Sequence, residues 1–524
     1  MLNYKKEKIM KKYKSLYIIL LAAAPLIFLA GCGKKFLEVQ PQGSLTETEA
    51  LTDPNAANEL VEGIYNTLYF GGFGNTTVGF EWVMLTDVAS DDGDKGSTPD
   101  DFSVNGAGDI DNFTATSNNS IVLNIWNGHY LGISRANKAI DVLNASTALD
   151  ATTRNRLLGE SRFLRGLFYF NLVRAFGDVV KVTRVPAPSE LNSDEFQTKA
   201  SSDTIYQVII DDLQFAIDNL PEKGDPSTVA GRANKGAAES YLAKVYLYQK
   251  NWQKTFDLTK DVINSGLYSL VPDYNLIFRE KPVGGVGGVN NSESIFEVQT
   301  GANTTSDAIS PNFSNGQGPR GRGGWDDLGF GFNNPTIDLA NAYEAGDTRK
   351  DATIIFINPT IAGVDNATYL WDGFRIPSQD SVQNSRYNYK AYHSPIAETA
   401  QQSVNKDTKP KNIRLMRYSE VLLMYAEAAA MLNNEPEATD KLNMVRSRAN
   451  LAPSTGTQAN IWKERRVELG MEEDRFFDLV RQGRAGTVLR AQGKAFTDGK
   501  NEVFPIPQSI IDLSNGRLKQ NNGY

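Results

Sequence analysis

"RANKGAAESYLAKVYLYQKNWQKTFDLTKDVINSGLYSL", residues 232–270, holds two helical patterns joined by a short polar break. Leu242, Ala243 and Tyr246 lie on the first pattern, which runs over 235–250. Lys250 and Asn251 make the turn, and the pattern restarts over 252–265 with Thr255 facing back. Apolar recurrence at helical spacing on both sides of so short a break predicts an antiparallel helical hairpin. The stretch "MRYSEVLLMYAEAAAMLNNEPEATDKLNMVRSR", 416–448, has the same plan, with Pro436 in the first turn of its second helix. Ala243 and Thr255, like Ala426 and Ala438, stand twelve positions apart. Small residues at both places let two helices approach closely.

Both pairs look like tetratricopeptide hairpins, and further helical patterns lie upstream. These are 126–145, 156–176 and 204–220. In the second, Leu164, Phe168, Leu172 and Ala175 mark one face, while Phe163, Leu167 and Phe170 mark another. A helix apolar on two sides is buried on two sides, as inside a stacked array. Residues 90–120 are rich in Asp, Gly, Asn, Ser and Thr and read as a long loop. Between 270 and 415 the texture changes to glycine-rich polar sequence with aromatics set in it, such as "SPNFSNGQGPRGRGGWDDLGFGFNNP" (310–335). "SIFEVQT", "ATIIFI" and "NATYLW" are short strand candidates within it. The expected fold is mostly α: a scaffold of tetratricopeptide-like hairpins with a loop-rich insertion carrying short β-strands.

"FLAGCGKK", residues 28–35, contains the single cysteine of the 524-residue chain. Lys11, Lys12 and Lys14 precede an apolar run of about 15 residues, short of the roughly 20 that span a bilayer. A basic start, a short apolar core and small residues at its end make a secretory signal. Leu29-Ala30-Gly31-Cys32 resembles the bacterial lipobox, which implies acylation of Cys32 and anchoring through several acyl chains. Removal of residues 1–31, with six lysines and one glutamate, would take the net charge from −8 to −13. That field makes nucleic acid a poor partner. The two histidines, His129 and His393, starve zinc sites and histidine-based nucleophilic catalysis. No phosphate-binding glycine motif occurs, and no cofactor is expected.

Several segments together resemble the SusD/RagB family of outer-membrane lipoproteins of Bacteroidetes. They are "GESRFLRGLFYFNLVRAFGDV" (159–179), the 232–270 stretch, "IRLMRYSEVLLMYAEAAAMLN" (413–433), "ERRVELGMEEDRFFDLVRQG" (464–483) and the closing "VFPIPQSIIDLSNGRLKQNNGY". The resemblance implies a signal peptide at 1–31 and a lipidated tether at 32–55. It further implies a SusD-like helical part at 56–270 and a SusD/RagB C-terminal part at 271–524 with the insertion at about 271–415. It also implies a non-enzymatic, lipid-anchored glycan-binding protein at the outer membrane, facing the cell exterior. Such a protein delivers oligosaccharide to a SusC-like TonB-dependent transporter. The acidic surface favours a neutral glycan. Two departures stand out: Glu473 where glycine is usual, and lysines after Cys32 where an acidic stretch often directs surface export. A glycoside hydrolase with paired carboxylates, and a scaffold binding peptide through helical repeats, are the alternative classes.

Sugar rings present apolar C–H faces to flat aromatics, and their hydroxyls need amide or carboxylate partners. Trp325 with Asp326, Asp327, Asn333 and Asn334 offers that set in one glycine-rich stretch. Phe73 with Asn75, and Trp371 with Asp372 and Arg375, are further candidates. Asp91 and Asp92 are candidates within "DVASDDGDKG" (87–96), which lacks EF-hand spacing and reads as a solvated loop with no metal. Trp82, Trp126, Trp252 and Trp462 read as core. The charges of 464–483, including Arg465, Arg466, Glu468, Glu472, Arg475 and Asp478, read as ion pairs locking the scaffold.

Overall fold

Among the described residues, ten helices build the scaffold. They are α1 (Pro54–Tyr69), α2 (Ser120–Ala145), α3 (Ala151–Phe176), α4 (Ser202–Asn219), α5 (Lys235–Tyr248) and α6 (Trp252–Asn264). After the insertion come α7 (Tyr418–Met431), α8 (Glu435–Arg448), α9 (Gln458–Leu469) and α10 (Arg475–Arg481). The structure is a computed structural model that describes residues 51–69, 76–101, 104, 106–300, 312–323, 325, 327–398 and 410–524. Local chemistry sets the starts. Asn119, Asp150, Ser201, Asn234, Asn251 and Thr457 each cap a helix by accepting a backbone N–H of its first turn. Gly177, with φ of +70°, ends α3.

The helices stack serially, each chiefly against its neighbours in sequence from α1 to α7, with α8 and α9 both on α7. Helix α3 is buried on both sides, and all seven apolar residues singled out on its two faces are interior. Burying each large one contributes roughly 1.5–3 kcal/mol. Close approach of α2 depends on Gly132, where a Cβ would lie 2.5 Å from the Phe168 ring. In the α5–α6 hairpin, Thr255 donates its hydroxyl to the Ala243 carbonyl at 3.4 Å. Ala243, Thr255, Ala426 and Ala438 are all fully buried, as expected of contact residues. Phe256 of α6 stacks on Tyr425 of α7 with centroids 4.5 Å apart, so the two hairpins adjoin.

Among the described residues, eight short strands form four antiparallel pairs. They are β1 (Gly93–Gly96), β2 (Ser294–Val298), β3 (Phe332–Pro335), β4 (Ile354–Phe356), β5 (Thr368–Tyr369), β6 (Arg375–Ile376), β7 (Arg386–Asn388) and β8 (Ile413–Arg417). The pairs are β1 with β3, β2 with β8, β4 with β7 and β5 with β6. The insertion has a small core of its own, built on Leu328, Ile355, Ile376, Tyr387 and Tyr389.

Three expectations need correction. Residues 90–120 are not one long loop: they hold β1, a short helix at Ala107–Asp111 and the start of α2. Within them, and just before, Asp87, Asp91 and Asp92 are buried rather than solvated, because arginines and amides from distant segments close over them. Trp82 and Trp126 are core, but Trp252 and Trp462 are only half-buried. Trp462 spends its ring N–H on Glu427, at 2.8 Å.

Candidate functional site

The 464–481 segment is the centre of a buried ion-pair network. Arg465 bonds Asp478 at 2.9 Å and Glu420 and Asp474 at 3.1 Å. Glu468 is shared by Arg349 (3.0 Å), Arg417 (3.1 Å) and Arg448 (2.5 Å). Arg481 joins Glu427 at 2.8 Å and Asp478 at 2.6 Å. Arg475 reaches far outside its own helix and grips both oxygens of Asp91, at 2.7 and 2.9 Å. Arg466 binds Asp92 at 2.7 Å and Asp338 at 2.6 Å. Burial acts to raise the Asp91 carboxyl, yet Arg475 and Arg466 together hold it below its usual range. The network fixes the scaffold, and apart from Arg466 and Asp338 its side chains named here are almost wholly buried.

A cleft of about 460 Å³ opens at the C-terminal end of α1, within the size range of small-ligand sites. Tyr65 and Tyr69, four apart, project on one face of α1. Asn66, Arg232, Gln299 and Thr300 supply polar groups around them, and Val229 adds an apolar rim. Arg232 is clamped between Glu160 (2.8 Å) and Glu62 (2.7 Å), with its guanidinium 5.4 Å from the Tyr65 ring centroid. The Tyr65 hydroxyl accepts the Ala233 N–H at 2.9 Å. Gln299 and Asn290 exchange two side-chain hydrogen bonds, at 2.8 and 3.0 Å, which fixes the amide at the wall. Stacking faces and oriented amides converge here, which is what a sugar ring requires. Sequence reasoning passed over Tyr65 and Tyr69, although "GIYNTLYFGGFGNTT" carries the signal: aromatics four apart at a helix end, followed by glycines.

The expected site residues are dispersed. Trp325 is half-buried at the edge of the insertion core, donates its ring N–H to the Ser381 carbonyl at 3.2 Å, and leans on Gly321. Trp371 and Phe374 pack against the same small core. Asp327 accepts the Gly321 N–H at 3.0 Å. Asp372 accepts the Tyr392 hydroxyl at 2.7 Å and also the Ser394 hydroxyl. Arg375 is exposed and paired with Asp365. Asn333 and Asn334 are buried on β3, and Asn333 binds Asp87 at 3.1 Å. Asp91 and Asp92 belong to the ion-pair network. Cys32, Phe73, Asn75 and Asp326 lie outside the described residues. Among the described residues no cluster of histidine, cysteine and acidic side chains could hold a metal ion, and no helix is long and apolar enough to cross a membrane.

Comparison with known proteins places this geometry. The family model described as "SusD family" matches residues 292–524, and one described as "Starch-binding associating with outer membrane" matches 35–247. A SusD-like protein of Bacteroides ovatus is 26% identical over 498 residues, spanning 88% of this chain and 82% of that protein. SusD-like protein P2 of Formosa agariphila is 26% identical over 542 residues, spanning 98% of this chain and all of its own. A solved structure titled "Laminarin binding SusD-like protein" superposes with a TM-score of 0.74 at 27% identity, covering 90% of this chain and 100% of that one. The mostly helical fold, its order of segments and these matches agree: the chain belongs to the SusD family.

Proposed function

We propose that this protein is a cell-surface glycan-binding lipoprotein, anchored through Cys32, that captures oligosaccharide and passes it to a SusC-like TonB-dependent transporter without cleaving it. The observation that carries this is the Tyr65–Tyr69 cleft, where aromatic faces meet oriented amides in a chain of this family. Sugar stacks on Tyr69 and Tyr65, and Asn66, Gln299 and Thr300 take its hydroxyls. The exposed face of Trp325, with Asp327 and Trp371 nearby in the insertion, is a second contact surface. Asp91, Asp92, Asn333 and Asn334 serve the scaffold instead of the sugar. The net charge of −8 opposes polyanionic glycans. The relative whose title names laminarin makes a neutral β-glucan the first ligand to try.

Calorimetric titration with laminarin oligosaccharides, beside a polyuronate of equal length, tests this. Saturable binding of a neutral oligosaccharide that is lost in Tyr69→Ala supports the assignment. Binding that survives Tyr69→Ala removes the cleft from the site. A neutral-glycan panel without any binder overturns the function itself.

A further inference from the structure

Glu473 lies in the turn between α9 and α10 with φ of +66°, a region that glycine adopts freely and other residues only against steric resistance. A carboxyl side chain thus stands on backbone of the kind glycine favours. That carboxyl is buried, with the residue 7% exposed, and neither of its oxygens has a hydrogen-bond partner among the described residues. It borders a cavity of about 30 Å³, room for a water-sized molecule. The Glu473 backbone N–H donates to Oδ1 of Asp87 at 3.1 Å. Asp87 is itself fully buried, on a π-helical turn (Met84–Val88), and takes a second bond on Oδ2 from Asn333, at 3.1 Å. Asn333 also has left-handed backbone, with φ of +52°. Strained residues and a π-helical turn in one buried spot mark a functional arrangement.

The charged neighbours leave Glu473 without a cation. Glu472 and Asp474 flank it on its own turn, and Asp87 faces it from the π-turn. Arg174 of α3, Tyr241 and Lys244 of α5, Arg414 and Arg417 of β8 and Glu420 of α7 face it across the cavity. Each of these cations already has a carboxylate. Arg174 has Asp474 (3.1 Å), Lys244 has Glu420 (2.9 Å), Arg414 has Glu280 (3.2 Å) and Arg417 has Glu472 (2.6 Å). Near Asp87 stand Asp92 and Lys390, and Lys390 is bonded to Glu472 at 2.6 Å.

We infer that the buried Glu473 carboxyl holds a proton beside the Asp87 carboxyl, and that the Glu473 backbone N–H and the Asn333 amide, both donating to Asp87, latch three segments together: the C-terminal turn, the N-terminal π-turn and strand β3 of the insertion. Burial, with Asp92 adding to it and Asn333 opposing, pushes Asp87 up to about 7. Burial and then the charges of Asp87, Glu472 and Asp474 push Glu473 well above its usual range. A carboxyl raised on folding binds more protons folded than unfolded. Its contribution to stability is whole below the unfolded carboxylate range, near 4, and is lost as pH rises through the folded values. The latch therefore holds under acid conditions and loosens toward and above neutrality.

Thermal unfolding of the purified chain between pH 5 and 8.5 tests the latch, with Glu473→Gly, Glu473→Gln and Asp87→Asn alongside. Glu239 also titrates near 7 by burial, so the slope is read as the difference between wild type and variant. The expected result is a wild-type midpoint that falls as pH rises. In Glu473→Gly the slope flattens and the midpoint at pH 8 rises by about 1–3 °C. Protection from hydrogen exchange at residues 84–96 and 332–335, measured relative to the intrinsic amide rate at each pH, should fall as pH rises in the wild type and fall less in Glu473→Gly. The infrared absorption of protonated carboxyls at pH 6, to which Asp87 and Glu239 also contribute, should lose one component in Glu473→Gln. A wild-type slope retained in full by Glu473→Gly, or no protonated carboxyl assignable to Glu473, overturns the inference. Should Asp87→Asn fail to fold, Glu473→Gly and the infrared band still decide it.

Discussion

At the scale of single residues, charge and ring placement separate structural groups from binding groups. Arg475 and Asp91 form a two-pronged pair that is almost wholly buried. Replacing Arg475 by alanine strands a carboxylate in the interior, and the expected loss is roughly 3–5 kcal/mol. Denaturant titration should show that loss, while calorimetry shows glycan affinity unchanged. The two aromatic sites should behave oppositely. Tyr69→Ala removes a stacking face at the cleft and should weaken sugar binding by about 2 kcal/mol, about thirtyfold, with little change in melting midpoint. Trp325→Ala removes a ring wedged on Gly321 and tied to Ser381. Its midpoint should fall, and its affinity should change less than that of Tyr69→Ala. A Trp325→Ala protein of normal stability and lost affinity would transfer the site to the insertion.

At the scale of elements, helix packing rests on small residues at crossing points. Gly132 is one of the tight ones: adding one methyl there drives a carbon into the Phe168 ring. Overpacking of this kind destabilises by about 1–3 kcal/mol, so Gly132→Ala should unfold at distinctly lower denaturant. An unchanged midpoint would mean that α2 can shift on α3 at no cost. The hairpins were legible in sequence because their determinants are local. Ala243 and Thr255 sit twelve positions apart, and so do Ala426 and Ala438. The π-turn and its aspartates were not legible. Asp91 finds Arg475 across 384 positions, and no nearby residue marks that an acidic, glycine-rich stretch will be buried. The Trp325 stretch misled for a related reason. Glycines and aspartates beside a tryptophan look exposed, yet residues from 328–392 supply a separate small core beneath it.

At the scale of the whole molecule, the family assignment, the stacked helices and the insertion were all readable from the chain. The cleft proposed for the ligand was readable only as an overlooked pair of tyrosines. Attachment to the membrane is the remaining molecular prediction. Cys32→Ala should shift the protein from the membrane to the soluble fraction after a high-salt wash, with its melting curve unchanged. The salt screens attachment by surface charge. Retention of the variant in the membrane fraction would sink the lipid-anchor assignment.

The pairing of β2 with β8 bears on how such a protein changes over generations. Chain leaves the helical stack after α6 and returns to it at α7, and the two strands that flank this excursion lie side by side. Meanwhile α6 and α7 touch directly through Phe256 and Tyr425. The excursion is thus sewn shut at its base. Lengthening a closed loop is cheap, with each doubling costing only about 0.6 kcal/mol. Insertions and deletions can accumulate beyond that seam in exposed turns such as 361–365, while Asn333, Asp338, Arg349 and Lys390 stay tied to the rest of the chain. Sequence change in such turns need not disturb the helical stack, so the surface of the insertion can be altered without rebuilding its frame.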